Sequence, residues 1–456
     1  MAEVKPKRRW FRFSLRTLLA GVAIVAILIW IPVRRAREQH QAVDEILRRG
    51  GTVRFDFEKT GATEPAGPAW LRRLLGDDYF RTADEVLLDG LAVTDDDLKI
   101  LGGLPSLERV FLRNCSKIDD DGLGHLRGLA TLQSLDLTGT GVTDTGLKLL
   151  PAIRSLRRLS RSSTNVTDEG LRTISTMPDL EDLFIDDTPG ISDAGLVHLK
   201  ALKNLPRLGL NDEAHKRRLP ITDAGLSQLS TLTQLRHLNL AGAVLTNAAM
   251  EHLDRLTRLE TLHLDGSQVT NEGLAKLADL KSLTFLGLTG TAVDVEGLAD
   301  LQSLSSLEFL LLSGSRITDA ALNQLKGFKA LRGLVLENTQ VTDAGLQALS
   351  GITGLQQLAL NGTPITDAGL KNLTPLIGLH RLLLKGTQVT DAGLAILRTF
   401  PTVSSLDLAD TKITDAGLVT LRSFPALEVV DLKNTNTSAA AVESLRQATP
   451  GLRVDQ

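Results

Sequence analysis

From Leu235 onward the apolar positions follow LxxLxL, and the same pattern returns at Leu259, Leu283, Leu307, Leu331, Leu355, Leu379, Val403 and Leu427, every 24 residues. Earlier copies begin near Ala83, Leu107, Leu132, Leu156, Leu180 and Leu205 with small insertions, giving about fifteen units. One unit, residues 331 to 354, reads LRGLVLENTQVTDAGLQALSGITG. Alternation predicts a short strand that turns Leu331, Leu334 and Leu336 inward and leaves Gly333 and Val335 facing out. The spacing then changes to that of a helix at Leu346 and Leu349. Thr342 and Asp343 stand where this helix begins, so a hydroxyl can cap free backbone N–H groups and a carboxylate can face the positive end of the helix dipole. A single unit buries too few apolar side chains to offset the conformational entropy of ordering it, so stability has to come from stacking units into one continuous core. The predicted fold class is α/β, a right-handed solenoid with parallel strands on a concave face and helices on the convex one, spanning residues 83–451.

Ahead of the repeats, residues 17–33 (TLLAGVAIVAILIWIPV) carry no charge. As a helix this stretch is roughly 25 Å long at ~1.5 Å per residue, close to a bilayer's apolar thickness. The run ends in Pro32, Arg34, Arg35 and Arg37 without the small-residue pattern of a cleavage site, which favours an uncleaved transmembrane anchor over a signal peptide. Lys5, Lys7, Arg8, Arg9, Arg12 and Arg16 precede it, so residues 1–16 are expected to stay in the cytoplasm and the repeats to be exported, as a single-pass membrane protein. Residues 34–82 are expected to form a juxtamembrane helix and a cap for the open end of the solenoid. Within them Val53, Phe55 and Phe57 alternate like an edge strand, and Trp70, Leu71, Leu74, Leu75 and Phe80 have helical spacing. Residues 452–456 are a short tail.

Composition narrows the functional classes. Residues 1–50 hold eleven Lys or Arg against four Asp or Glu, so a chain of net charge −3 has a basic head and a mildly acidic body, with no basic stripe for nucleic acid. The single cysteine, Cys115, rules out an intrachain disulfide. The eight histidines are scattered over different units without metal-ligand spacing. No phosphate-binding glycine loop or nucleophile elbow occurs, so neither an enzyme nor a cofactor site is expected.

With LxxLxL, a small polar residue and then ITDAGL recurring in register, the chain resembles the leucine-rich-repeat superfamily, closest to its ribonuclease-inhibitor-like and cysteine-containing subtypes. The resemblance covers residues 83 to 451. Where that superfamily places an inward Asn or Cys after the strand, this chain has Cys115 once and elsewhere Thr or Ser, among them Thr140, Thr164, Ser267, Thr339 and Thr411. A hydroxyl ladder is therefore expected in place of an amide ladder. The head, RRWFRFSLRTLL followed by AREQHQAVDEILRRGGTV, looks like that of bacterial membrane-anchored members. The resemblance implies a curved scaffold for protein recognition, without naming a ligand.

Outward strand positions of successive units should align in columns. Phe285 and Phe309 share one column, and Leu311, Val335, Ala359 and Leu383 the next, which predicts an apolar stripe of the kind that marks a contact surface for a protein or peptide. A second candidate is basic: Arg158 and Arg207, with Arg154, Arg157 and Arg161, near an insertion (NDEAHKRRLP) that clusters His215, Lys216, Arg217 and Arg218. A solvated charge run is the competing account of that cluster. Arg161 occupies a position that is apolar in other units, so it should be paired with an acid or lie in a frayed strand. Two other functions compete with partner binding: a substrate-receptor arm as in F-box proteins, which would need an F-box ahead of the repeats, and an adhesive element for polysaccharide, which would need aromatic platforms.

Overall fold

The structure, a computed structural model, describes residues 15–211 and 219–456. They divide into two compact units: the described residues up to 141 together with 152–156, and residues 142–151 with 157–456.

The first unit begins with helix α1 (Leu15–Arg48). Its C-terminal part packs on the first repeat, burying Ala42, Val43 and Ile46. The Gln39 side chain ties it down, accepting from the Ala83 amide at 3.0 Å and donating to the Arg81 carbonyl at 2.9 Å. Strand β1 (Thr52–Phe55) then runs antiparallel to β2 (Ala83–Leu87), covering an edge that would otherwise be open. Strands β3 (Arg109–Phe111) and β4 (Ser134–Asp136) continue in parallel. Phe57 lies beyond the strand, in a short 3₁₀ turn. The helix Ala69–Leu75 forms as its spacing predicts, but Trp70 and Leu74 are 68% and 72% exposed, so they do not close the core. That task falls to α1 and β1.

The uncharged run 17–33 lies on α1, part of it among side chains outside the described set. Among the described residues no helix is long and apolar enough to cross a membrane. Leu19, Val22, Ile24 and Trp30 of that run are exposed.

In the second unit thirteen described strands, from Arg158–Ser160 to Arg453–Asp455, pair in parallel. The 24-residue step is kept strand by strand, for example Phe285 to Phe309 to Gly333 to Gln357 to Arg381. Across the insertion the step lengthens, yet Arg207 still meets His237 in register. Just after the insertion, Leu219–Thr222 pairs in parallel with Ala243–Val244 of the following repeat in a small two-stranded sheet. His215, Lys216, Arg217 and Arg218 lie outside the described residues.

Leu331, Leu334, Leu336, Leu346 and Leu349, like most of their equivalents along the chain, are fully buried, whereas Leu427 near the C-terminal end is only partly so. Most of the hydroxyls expected to form a ladder instead turn back within their own unit, while Ser267 Oγ is buried without a partner among the described residues. Thr339 donates to the Leu336 carbonyl at 2.7 Å and Thr387 to Leu384 at 2.6 Å, each satisfying a strand-end acceptor. Rungs between units come from the helix starts. Thr342 caps its helix, accepting from the Ala344 amide. Its neighbour Asp343 reaches to the next unit, where the amide and hydroxyl of Thr366 donate to it at 2.8 and 2.5 Å. Asp319 receives Thr342, Asp367 receives Thr390 and Asp391 receives Thr414 in the same way. The glycine of TDAGL makes room for this carboxylate: a Cβ on Gly369 would stand 2.2 Å from Asp343 Oδ1. At one place the run is broken. Val295 takes the Asp position, among the described residues no carboxylate is hydrogen-bonded to Thr318, and Asp294 caps its own helix.

Candidate binding face

A three-residue strand exposes two outward positions to the sheet face, and the parallel register lines them up across neighbouring units. In the middle of the second unit these columns become apolar. Phe285 and Phe309 are register partners, their ring centroids 6.1 Å apart at an interplanar angle of 26°. His263 extends the stack, 4.6 Å from Phe285, with Nδ1 held 3.2 Å from Asp265. The Phe309 ring lies across Gly333, where a Cβ would come within 2.3 Å of Cδ1. Gly333 thus faces outward as its strand position requires, but is buried under that ring.

Beyond Gly333 the surface sinks into a hollow of about 220 Å³, with Phe309, Leu311, Val335, Ala359 and Leu383 for its apolar walls and Glu337, Gln357 and Arg381 for its polar ones. The structure therefore brings Phe309, Leu311, Val335 and Leu383 together around one cavity, with Phe285 on the far side of Phe309. His263, Gly333 and Arg381 complete the site and were not among the contact residues read from sequence. Sorting every outward position by its 24-residue column would have shown Arg381 in the column of Phe309, and Gly333 between an aromatic and a glutamine.

The basic candidate has a different character. Arg158 and Arg207 flank Asp182 on adjacent strands, each with Nε 2.8 Å from one carboxylate oxygen. One carboxylate, only 5% exposed, thus lies between two half-exposed guanidinium groups and offsets one of their two charges. Burial pushes the Asp182 carboxyl above its ordinary range, against the opposing pull of Arg207 and Arg158. Burial and Arg207 likewise hold the neighbouring His237 imidazole below its usual value. Arg161 departs from both alternatives expected of it. Its backbone stays in the sheet, donating to the Phe184 carbonyl at 3.0 Å, yet the side chain is 1% exposed. Nη2 makes a long 3.3 Å contact to Thr164, while Nε and Nη1 have no partner among the described residues. Desolvation lowers this guanidinium to about 9, with only the charge of Asp144 opposing.

Among the described residues no group of three or more His, Cys, Asp or Glu is placed to hold a metal ion.

Strand, turn and short helix repeated in register around a leucine core define a leucine-rich-repeat solenoid. A model described as a leucine-rich repeat region matches residues 219–450, more than half of the chain, and a leucine rich repeat model matches 128–150. The chain belongs to the leucine-rich-repeat family. Among solved structures it is similar to an internalin from Listeria monocytogenes (22% identity, 75% of this chain and 90% of that one, TM-score 0.54). A leucine-rich-repeat protein from Leptospira interrogans aligns at 19% identity over 78% of this chain and 92% of that one, TM-score 0.51. The mouse RP105/MD-1 complex gives 14% identity over 82% and 79%, TM-score 0.50. At these identities the likeness is one of fold. None of the curated proteins matches the chain.

Proposed function

We propose that this chain is a membrane-anchored, non-catalytic binding protein that takes a protein or peptide partner on the sheet face of its second unit. The observation that carries the reading is the contiguous surface from His263 through Phe285 and Phe309 into the hollow bounded by Val335 and Leu383. Apolar rings and a concavity at the centre of a sheet, with charged residues around them, are what an interaction site needs and what solubility alone would select against. One of the fold neighbours was solved as a complex of two proteins, RP105 with MD-1, which supports the same use of the scaffold here.

Anchoring is supported by the uncharged run 17–33 on a helix that continues without a break to Arg48, with Leu19, Val22, Ile24 and Trp30 exposed. The arginine-rich and lysine-rich residues before the run favour an inside N-terminus and exported repeats.

The test of the binding face is the double substitution F285D/F309D in the full-length protein, assayed for capture of peptides from a displayed random library. Wild type is expected to enrich a family of sequences and the variant to enrich none while keeping its circular dichroism. Equal enrichment by both would remove the assignment. For the anchor, the protein should remain with membranes through alkaline carbonate washing, and protease added to intact cells should digest the repeats. Release by carbonate would refute the anchor, and protected repeats the orientation.

A further inference from the structure

The rim of the hollow carries a charge that the fold leaves unanswered. Arg109, Arg158, Arg207 and Arg453 occupy the strand position equivalent to Arg381, and each has a carboxylate oxygen within 2.8 to 3.1 Å, supplied by Glu85, Asp182 or Asp455. Arg381 is different. Its register partners are Gln357 and Ser405, and among the described residues no carboxylate approaches its guanidinium within 4.0 Å. The acid on the opposite rim, Glu337, is turned to Asn361, which donates to it at 2.8 Å. One edge of an apolar cavity thus presents an exposed cation whose fork of donors matches a carboxylate in two-point geometry.

Size and surface specify what fills the rest. An apolar cavity of ~150 Å³ already accepts benzene, so the hollow of about 220 Å³ has room for a phenyl or phenol ring. The exposed face of Phe309 offers it an offset-stacking partner. Gly333 keeps the floor low, because a side chain there would displace Phe309. Phe309 and Arg381 stand three strands apart, roughly 14 Å at the ~4.8 Å strand spacing. Once a ring is seated against Phe309, an extended ligand chain at ~3.3 Å per residue covers the remaining distance in one to three residues.

Resting on the assignment of this face to partner binding, we propose that the site recognises a peptide segment in which an aromatic side chain enters the hollow and an aspartate or glutamate one to three residues away pairs with Arg381. The ring supplies burial, and the carboxylate fixes the direction in which the segment lies across the strands.

The experiment uses full-length protein in detergent and a phage-displayed library of random dodecapeptides. Wild type should enrich sequences with Phe, Tyr or Trp and an acid within three positions. R381Q should keep the aromatic preference and lose the acidic one. A synthetic peptide from the wild-type selection should bind R381Q roughly 10- to 100-fold more weakly, with R381K in between, and added salt should weaken wild type more than R381Q. Aromatic peptides enriched without an acid, or affinity for R381Q within about twofold of wild type, would overturn the proposal while leaving the binding face intact. Absence of any enriched sequence would overturn the face itself, and the proposal with it.

Discussion

At the scale of single residues, Arg161 shows how much a stacked core can tolerate. It occupies a position held by Leu137, Ile185 and Leu210 in other units, all buried. Among the described residues two nitrogens of its enclosed guanidinium have no hydrogen-bond partner, and the strand Asp182–Phe184 holds the Arg158–Ser160 strand in register. Replacing a buried, poorly paired charge by an apolar residue of similar reach removes a desolvation cost. R161L is therefore expected to raise the stability by roughly 1–4 kcal/mol near neutral pH, read as an increase in Tm. The sign of the pH dependence follows from the lowered guanidinium. Folded, it releases its proton near 9; unfolded, it holds it to the higher, ordinary arginine range. Between those values the unfolded chain binds more protons, so this group makes stability rise with pH there and contributes no slope below about 9. The advantage of R161L over wild type should accordingly shrink as pH climbs above 9. An advantage independent of pH would show that Arg161 is not the titrating group.

Between helix starts, the hydrogen-bonded rungs set how one repeat is held to the next. Losing the Asp343 carboxylate leaves the Thr366 amide and hydroxyl without their acceptor, so D343A should cost about 1–2 kcal/mol and lower the thermal midpoint, with little change in the far-ultraviolet spectrum. The broken rung offers the converse experiment. V295D places a carboxylate where it can meet Thr318, and a gain of roughly 0.5–1.5 kcal/mol is expected. Ala321, which stands where other units have glycine, need not obstruct it, since Asp223 makes its rung to Thr246 beside Ala249. Unchanged or reduced stability would mean that the acid cannot reach. Much at this scale was legible in the sequence. The LxxLxL alternation marked the inward leucines, and TDAGL marked the helix starts and the capping hydroxyl. What Asp343 does was not legible, because a string of letters records its place before a helix and not the distance to Thr366 in the following unit. Thr339 misled for a similar reason: its column suggested rungs between units, but a hydroxyl three residues past a strand-end carbonyl closes on that carbonyl first. Helical spacing in Trp70 and Leu74 correctly announced a helix, but periodicity alone could not tell whether its apolar side met a core.

At the level of the whole molecule, the two compact units differ in what they offer. The first carries α1 and the antiparallel strand that finishes the sheet edge; the second carries the aromatic stack and the hollow. The site could be located only in part from sequence, since Phe285, Phe309, Val335 and Leu383 declare themselves as apolar outward positions, while the 24-residue column places Arg381 between Gln357 and Ser405 without showing that no described carboxylate comes within 4.0 Å of it. The face is a property of unit order and not of any one unit, and this leads to a test. In a stacked array each repeat contacts its neighbours through nearly the same surface, so removing one whole period should rejoin compatible faces, whereas removing half a period should not. Deleting residues 403–426 is expected to leave a folded protein that still binds the selected aromatic-acidic peptides, because the strands from Phe285 to Leu383 keep their order. Deleting 331–354 should also leave a folded protein, but one in which the Phe309 strand lies beside the Gln357 strand without the low floor of Gly333 and the wall of Val335. Peptide binding should then fall at least tenfold while circular dichroism and the cooperativity of melting stay close to those of the first deletion. Equal binding by the two deletions would place the partner's contacts elsewhere on the chain.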